Sequence, residues 1–353
     1  MARRVSTGGA VALAITCLFG AAASGQPPSL PPVNADAVAK AVEDVAAVVE
    51  REYFDPDRAS RIAKTLRARS GAGHYAAVES WASLAERLTI DLFALSSDKH
   101  LAVRVARDAL KGGSPAPAET REVTARRTNH GVQRVEVLAG NVGYFNLTSF
   151  YRPEEATGVL SAAMRTLEDT DALIIDMREN GGGSPDTVAW LSSYFFGAAD
   201  LPLFEIVPRS GPTKRYTTAT VPVGPRNATR PLYVLTARRT FSAGEGFPFI
   251  LQERRRGVVV GEQTAGAANP GRSYQAGDLL EVTVPNGQVR TAVTGQNWEG
   301  RGVTPDVPTP ASDALRVAHI YALRELIKTA SDERYQQVLQ RHLNGLEQPA
   351  GKR

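Results

Sequence analysis

Residues 238–247 read Arg-Arg-Thr-Phe-Ser-Ala-Gly-Glu-Gly-Phe and set one serine, Ser242, at the end of a strand-like run, Pro231-Leu-Tyr-Val-Leu-Thr236. Phe247, Phe249, Ile250 and Leu251 give the segment that follows an apolar helical face. A serine at a strand-to-helix turn can point its hydroxyl outward, beside the free N–H groups of the helix start. An acyl-transfer nucleophile needs that arrangement, yet the same stretch also reads as an ordinary helix cap. Glu245, one turn on, reads as a structural residue of the helix. Asn180-Gly-Gly-Gly-Ser-Pro185 follows another strand-like run, and its glycines free the backbone to expose N–H groups. It is an oxyanion or phosphate cradle, or a flexible turn; no lysine follows as a phosphate loop requires. Ser96-Ser-Asp-Lys-His100 ends a helical region, so His100 faces a cleft as a general base or sits on the surface. Glu299, within Asn297-Trp-Glu-Gly-Arg-Gly-Val-Thr-Pro-Asp306, either orients a histidine or is a solvated turn residue. The other histidines, His74, His130, His319 and His342, have no comparable neighbourhood, and no metal-ligand spacing occurs.

The elements that must position these residues follow from periodicity. Val38, Val42, Val45, Val49 and Tyr53 repeat at steps of three and four, with Asn34 as N-cap and Asp55-Pro56 as the stop. A second helix is expected over 57–69, and Ser83-Leu-Ala-Glu86 resembles a capping box for a third. Strands are expected at 101–105, 133–138, 142–147, 172–177, 231–236, 257–261, 279–284 and 288–293, with helices at 153–168, 185–196, 242–254 and 311–329. This alternation predicts an α/β fold with a small N-terminal helical domain. Ala172-Leu-Ile-Ile-Asp-Met177 suits a central strand, and Pro285-Asn-Gly287 predicts a hairpin between its flanking strands. The expected divisions are a signal peptide at 1–25, a Pro-rich linker at 26–33, a helical domain at 34–100, an α/β domain at 101–330, and a C-terminal helix and tail at 331–353.

The net charge of +4 includes Arg3 and Arg4 of the leader, so the remainder is near neutral and no nucleic-acid partner is expected. Arg3-Arg4, the apolar run Ala10–Phe19 and the small residues Ala21–Gly25 read as a secretory signal. The apolar run is too short to span a bilayer comfortably, so no stable membrane insertion is expected after cleavage. Cys17, the single cysteine, lies in that run, so the mature chain has neither a disulfide nor a thiol nucleophile. Export to a periplasmic or extracellular space agrees with that composition.

Taken in order, Val142–Phe150, Leu173–Gly183, Arg239–Glu245, Val260–Gly266 and Glu299–Asp306 resemble the core motifs of the tail-specific (C-terminal-processing) family of serine peptidases. The likeness spans roughly residues 34–310. Its Ser-Lys branch places a lysine 25 residues after the serine, but residue 267 is alanine, and the stretch 106–141 is too short for that branch's PDZ insert. The chain is therefore similar to the tricorn-core and interphotoreceptor-retinoid-binding branch. The resemblance implies a crotonase/ClpP-like ββα core in a peptidase domain over 101–330. It implies Ser242 as nucleophile, His100 as base, Glu299 as orienting acid, and Ala243 with Gly181 or Gly182 as oxyanion donors. Lys99 stands where the tricorn pattern has a serine, leaving Ser96 or Ser97 as substitutes. The implied partner is a peptide or protein, with no cofactor and no metal; the oligomeric state stays open. A non-catalytic carrier of a hydrophobic ligand on the same fold is the rival reading. A crotonase-like acyl-CoA enzyme is disfavoured by export.

Overall fold

Asn34 accepts a hydrogen bond from the Ala37 N–H at 2.9 Å and caps α1 (Ala35–Glu52) in the computed structural model, which describes residues 30–106, 121–220 and 229–348. The expected signal peptide at 1–25, the first half of the linker, at 26–29, and the end of the tail, at 349–353, lie outside the described residues. Asp55 caps α2 (Pro56–Gly71), whose first residue is proline. The cap of α3 (Trp81–Ser96) is Ser80, paired with Ser83, one turn before the expected Ser83–Glu86 box. Burial of Trp81, and its indole N–H bonded to the Pro31 carbonyl at 2.7 Å, fix that earlier start.

The three helices do not close a core by themselves. A small antiparallel sheet of order β1-β10-β9 packs under them, formed by β1 (Ala102–Val105), β9 (Gly271–Ala276) and β10 (Leu280–Pro285). Val103, Ala276, Leu280, Val282 and Val284 share one buried cluster with Val42, Leu66 and Leu88. Strands from late in the chain thus complete the core of the N-terminal helices.

After α4 (Arg121–Arg127) comes the main sheet. It contains β2 (Val132–Leu138), β3 (Val142–Leu147), β4 (Ala172–Asp176), β7 (Leu232–Thr236), β8 (Val258–Gly261) and β12 (Val307–Pro308), in the order β12-β8-β7-β4-β3-β2. All neighbours are parallel except β2 with β3. Side chains alternate between the faces. Phe145, Leu173, Ile175, Val234 and Val259 pack toward α5 (Pro153–Thr166), α6 (Pro185–Ser192) and α7 (Ala243–Glu253). Tyr144, Ile174, Leu235 and Val260 pack toward α8 (Ala314–Thr329) and α9 (Glu333–Glu347). Both faces of β4 are buried, which explains its unbroken apolar run.

A third sheet, β11-β5-β6, joins β5 (Pro202–Pro208), β6 (Lys214–Thr217) and β11 (Gly287–Thr291). Here the sequence expectation fails: β10 and β11 flank Asn286 but form no hairpin. β10 pairs with β9 and β1, whereas β11 pairs with β5. The Asn286 N–H bonds the Pro270 carbonyl at 3.1 Å, so the chain changes sheets at Pro285-Asn286 instead of turning back.

Candidate active site

The turn between β7 and α7 is tied to the loop after β4. Thr240 donates to the Met177 carbonyl at 2.9 Å, and the Phe241 N–H donates to the Asn180 carbonyl at 3.0 Å. Ser242 follows with φ 56° and ψ −124°, a conformation costing about 1–3 kcal/mol in a non-glycine residue. Glu245 holds it there. Its fully buried carboxylate accepts from the Ser242 N–H (2.7 Å), the Thr264 hydroxyl (2.5 Å), the Gly266 N–H (2.6 Å) and the Ala267 N–H (3.0 Å). The Glu245 N–H bonds the Ser242 carbonyl, so the serine hydroxyl is left for another partner.

That partner is His100, whose Nε2 lies 3.1 Å from Ser242 Oγ across 142 residues of chain. The ring also packs on Phe241, with centroids 4.9 Å apart. His100 is held by Asp98, whose Oδ1 accepts the His100 N–H at 3.0 Å. Burial lowers the His100 pKa to about 4, which keeps the imidazole neutral near pH 7 and able to take a proton.

Glu299 stands behind the histidine. Its Oε2 accepts the Ala268 N–H at 2.6 Å and the Asn269 N–H at 3.0 Å. Glu299 Oε1 and His100 Nδ1 are both buried without a hydrogen-bond partner among the described residues. A ring nitrogen of His100 and one oxygen each of Asp98 and Glu299 lie within 4.8 Å of one another. The two predicted partners are thus brought together without a direct hydrogen bond. Burial, then the Asp98 charge, push the Glu299 carboxyl up to about 7.

Neither serine considered as a fourth member reaches this group. Ser96 Oγ bonds the Leu92 carbonyl and the Asp98 N–H, and Ser97 is an exposed left-handed C-cap. Lys99 turns away and donates to the Ala265 carbonyl. Asp98 lies nearest to His100 instead, with its Oδ2 accepting from the Tyr53 hydroxyl at 3.3 Å and from Asn269 Nδ2 at 3.5 Å. Its proximity to His100 carried a signal, because an Asp often bonds the N–H two residues on. Tyr53 and Asn269 carried none, since they arrive from distant elements.

The predicted oxyanion donors need revision. The Gly181 N–H bonds the Thr148 carbonyl at 3.2 Å, and the Gly182 N–H bonds Asn180 Oδ1 at 2.8 Å. Among the described residues, the N–H groups of Ala243 and Gly183 carry no hydrogen bond, and both residues line an apolar cavity of about 50 Å³ beside Ser242. Pro185, Val188, Phe204, Ile206, Val289 and Trp298 form much of its wall. Gly183 has φ +137°, and a Cβ there would sit 2.0 Å from the Phe150 carbonyl oxygen, so only glycine fits.

Asp98, His100 and Glu299 are the only group of three His, Cys, Asp or Glu side chains among the described residues close enough to be weighed as a metal site. Both Asp98 oxygens and Glu299 Oε2 already accept hydrogen bonds. The carboxylate oxygens are largely engaged by N–H and O–H donors of the chain, and no metal ligand is assigned.

A parallel α/β sheet with a serine and a histidine in contact beside a glycine loop places the chain among α/β proteins with a serine-type site. The chain belongs to peptidase family S41. Residues 141–309 match the model of that family, and residues 35–138 match the N-terminal domain of peptidase S41 in eukaryotic IRBP. The carboxy-terminal processing protease CtpB of Bacillus subtilis is 25% identical over 66% of this chain and 50% of its own length. The chain spans about half the length, or less, of the curated relatives it matches. Among solved structures, the photosystem II D1 C-terminal processing protease shares the fold at TM-score 0.51 and 17% identity, over 81% of this chain and 97% of that one. The tricorn protease does so at TM-score 0.51 and 13% identity, over 89% of this chain and 37% of that one.

Proposed function

We propose that the chain is an exported serine-type peptidase that hydrolyses peptides or partly unfolded proteins. The observation that carries this is the 3.1 Å contact between Ser242 Oγ and His100 Nε2, made by residues whose chain neighbours Ala243 and Leu101 pack in two separate hydrophobic cores. His100 takes the hydroxyl proton on Nε2 as Ser242 Oγ attacks the peptide carbonyl carbon. The oxyanion is received by the N–H groups of Ala243 and Gly183, in place of the engaged Gly181 and Gly182. The imidazolium returns its proton to the leaving amine, and water then hydrolyses the acyl-enzyme with His100 again as base. Glu299 balances the imidazolium charge. The apolar cavity beside Ser242 suits one uncharged substrate side chain.

The test is labelling with a fluorophosphonate probe and cleavage of a denatured protein substrate. The expected result is a modified Ser242, with labelling and cleavage both abolished in Ser242→Ala and His100→Ala variants that melt like the parent. Full cleavage by either variant removes the assignment. Export is tested separately, by N-terminal sequencing of the protein recovered from its native compartment, with a start near residue 26 expected.

A further inference from the structure

Two buried carboxyl groups meet behind His100, and the mechanism above uses only one. Asp98 comes from the turn after α3, Glu299 from the loop after β11. Their hydrogen bonds interlock: Asn269 donates its side-chain N–H to Asp98 at 3.5 Å and its backbone N–H to Glu299 at 3.0 Å. Asp98 is satisfied on both oxygens, by the His100 N–H on one and by Tyr53 and Asn269 on the other. Glu299 has one oxygen that accepts two hydrogen bonds and the other buried and bare, and His100 Nδ1, in the same close group, is bare too. Two like charges this close, out of water, do not both persist, and the pair titrates as a unit.

We propose that Asp98 and Glu299 share one proton in the resting protein and present a single negative charge to His100, with Asp98 as the site's fourth member. This rests on Ser242 and His100 being nucleophile and base. Asp98 is a positioning residue. It fixes the His100 backbone and, through its charge, sets the pH at which Glu299 can ionise and accept the imidazolium as neighbour. The titratable groups facing the pair are Tyr53 and Arg58 from the N-terminal helices, His100 from its own turn, and Glu245 from α7. Burial raises both carboxyls; at Asp98 the His100, Asn269 and Tyr53 donors and the Arg58 charge pull back toward the ionised form, while at Glu299 the Asp98 charge adds to burial, the Ala268 and Asn269 N–H groups oppose it, and Glu245 disfavours a further charge. The proton therefore resides on Glu299, and the reactive form appears as Glu299 loses it.

The experiment is the rate of fluorophosphonate labelling of Ser242 as a function of pH in the parent, Asp98→Asn and Glu299→Gln. The parent rate should rise with a midpoint near 7, the value for Glu299, and not near 4, the value for His100. Asp98→Asn keeps an acceptor for the His100 N–H and removes the like charge. Its midpoint should move down by about one to two units. Glu299→Gln should label more slowly and lose the rise near 7. A parent midpoint near 4 overturns the proposal whatever the variants do. So does an Asp98→Asn protein with slower labelling and an unmoved midpoint, which is the mark of a purely structural role. No labelling of the parent at any pH removes the Ser242 reading itself, and the proposal with it.

Discussion

Replacing Glu245 by alanine should destabilise the protein severely although no catalytic role is given to it. The carboxylate is wholly buried and takes four hydrogen bonds, from Ser242, Gly266 and Ala267 backbone N–H groups and the Thr264 hydroxyl. Hydrogen bonds to charged groups contribute about 1.5–3 kcal/mol each, so the naive sum is about 6–12 kcal/mol. Burying the carboxylate offsets several kcal/mol of that; burial indeed raises its pKa in spite of the four donors. Truncation leaves all four donors without an acceptor, and breaking a buried charge network costs about 3–5 kcal/mol. That is a large share of the roughly 5–15 kcal/mol that a folded domain commands. Urea unfolding at pH 7 followed by tryptophan fluorescence measures it. Glu245→Gln keeps an oxygen for part of the donor set and should lose about half as much. A Glu245→Ala protein within about 1 kcal/mol of the parent would refute the reasoning, because surface substitutions alone reach about 0.5 kcal/mol.

Three further outcomes are expected. Gly183→Ala should lower the cleavage rate about 100- to 1000-fold, the usual effect of losing one oxyanion donor, because its Cβ collides with the Phe150 carbonyl and displaces the loop; steady-state kinetics on a fluorogenic peptide measures this. His100 has a folded-state pKa below its unfolded value, so the unfolded chain binds the extra proton between about 4 and 6.5. The parent's stability relative to His100→Ala should therefore rise with pH across that window, by up to about 1.4 kcal/mol per unit, in urea unfolding at stepped pH. A fragment beginning at residue 101 should fail to fold, by circular dichroism and melting, since Ala276, Leu280, Val282 and Val284 lose the helices that cover them.

The main sheet was legible because β4 and β7 are apolar on both faces and are separated by helix-period segments. The first helix was legible from its valine stripe and from Asn34. β5, β6 and β9 were not anticipated. β6 and β9 are largely exposed, as at Arg272 and Ser273, and β5 is mostly half-buried, so no clean alternation marks them. The expected hairpin at Pro285-Asn-Gly287 failed for a different reason: the turn residues are right, but both flanking strands have better partners elsewhere in the chain. In the site, Ser242, His100 and Glu299 stood out because each lies in a short motif. Gly183 could be told from Gly181 and Gly182 only by where each N–H bonds, and three successive glycines look alike in a sequence.

The small sheet explains how a histidine from the helical region meets a serine 142 residues later. β1 and β9 both run antiparallel to β10, so they are parallel to each other and begin at the same end of the sheet. The register sets Ala102, Thr283 and Ser273 in one row. His100 lies two residues before that row on one strand, and Ala268 and Asn269 lie just before the start of the other. His100 and the backbone N–H groups that hold Glu299 are therefore delivered to one end of one sheet by strand pairing. The residues that separate them in sequence include the whole central part of the main sheet, with Ser242 at its strand end. What locates His100 is thus a pair of strand ends locked to β10, with the Lys99 contact to Ala265 and the Arg209 contact to the Tyr53 carbonyl as further ties across the same seam. His100 is therefore held beside Ser242 by a turn anchored at β1, and the cavity lined by Phe204 and Trp298 lies on the Ser242 side of that contact.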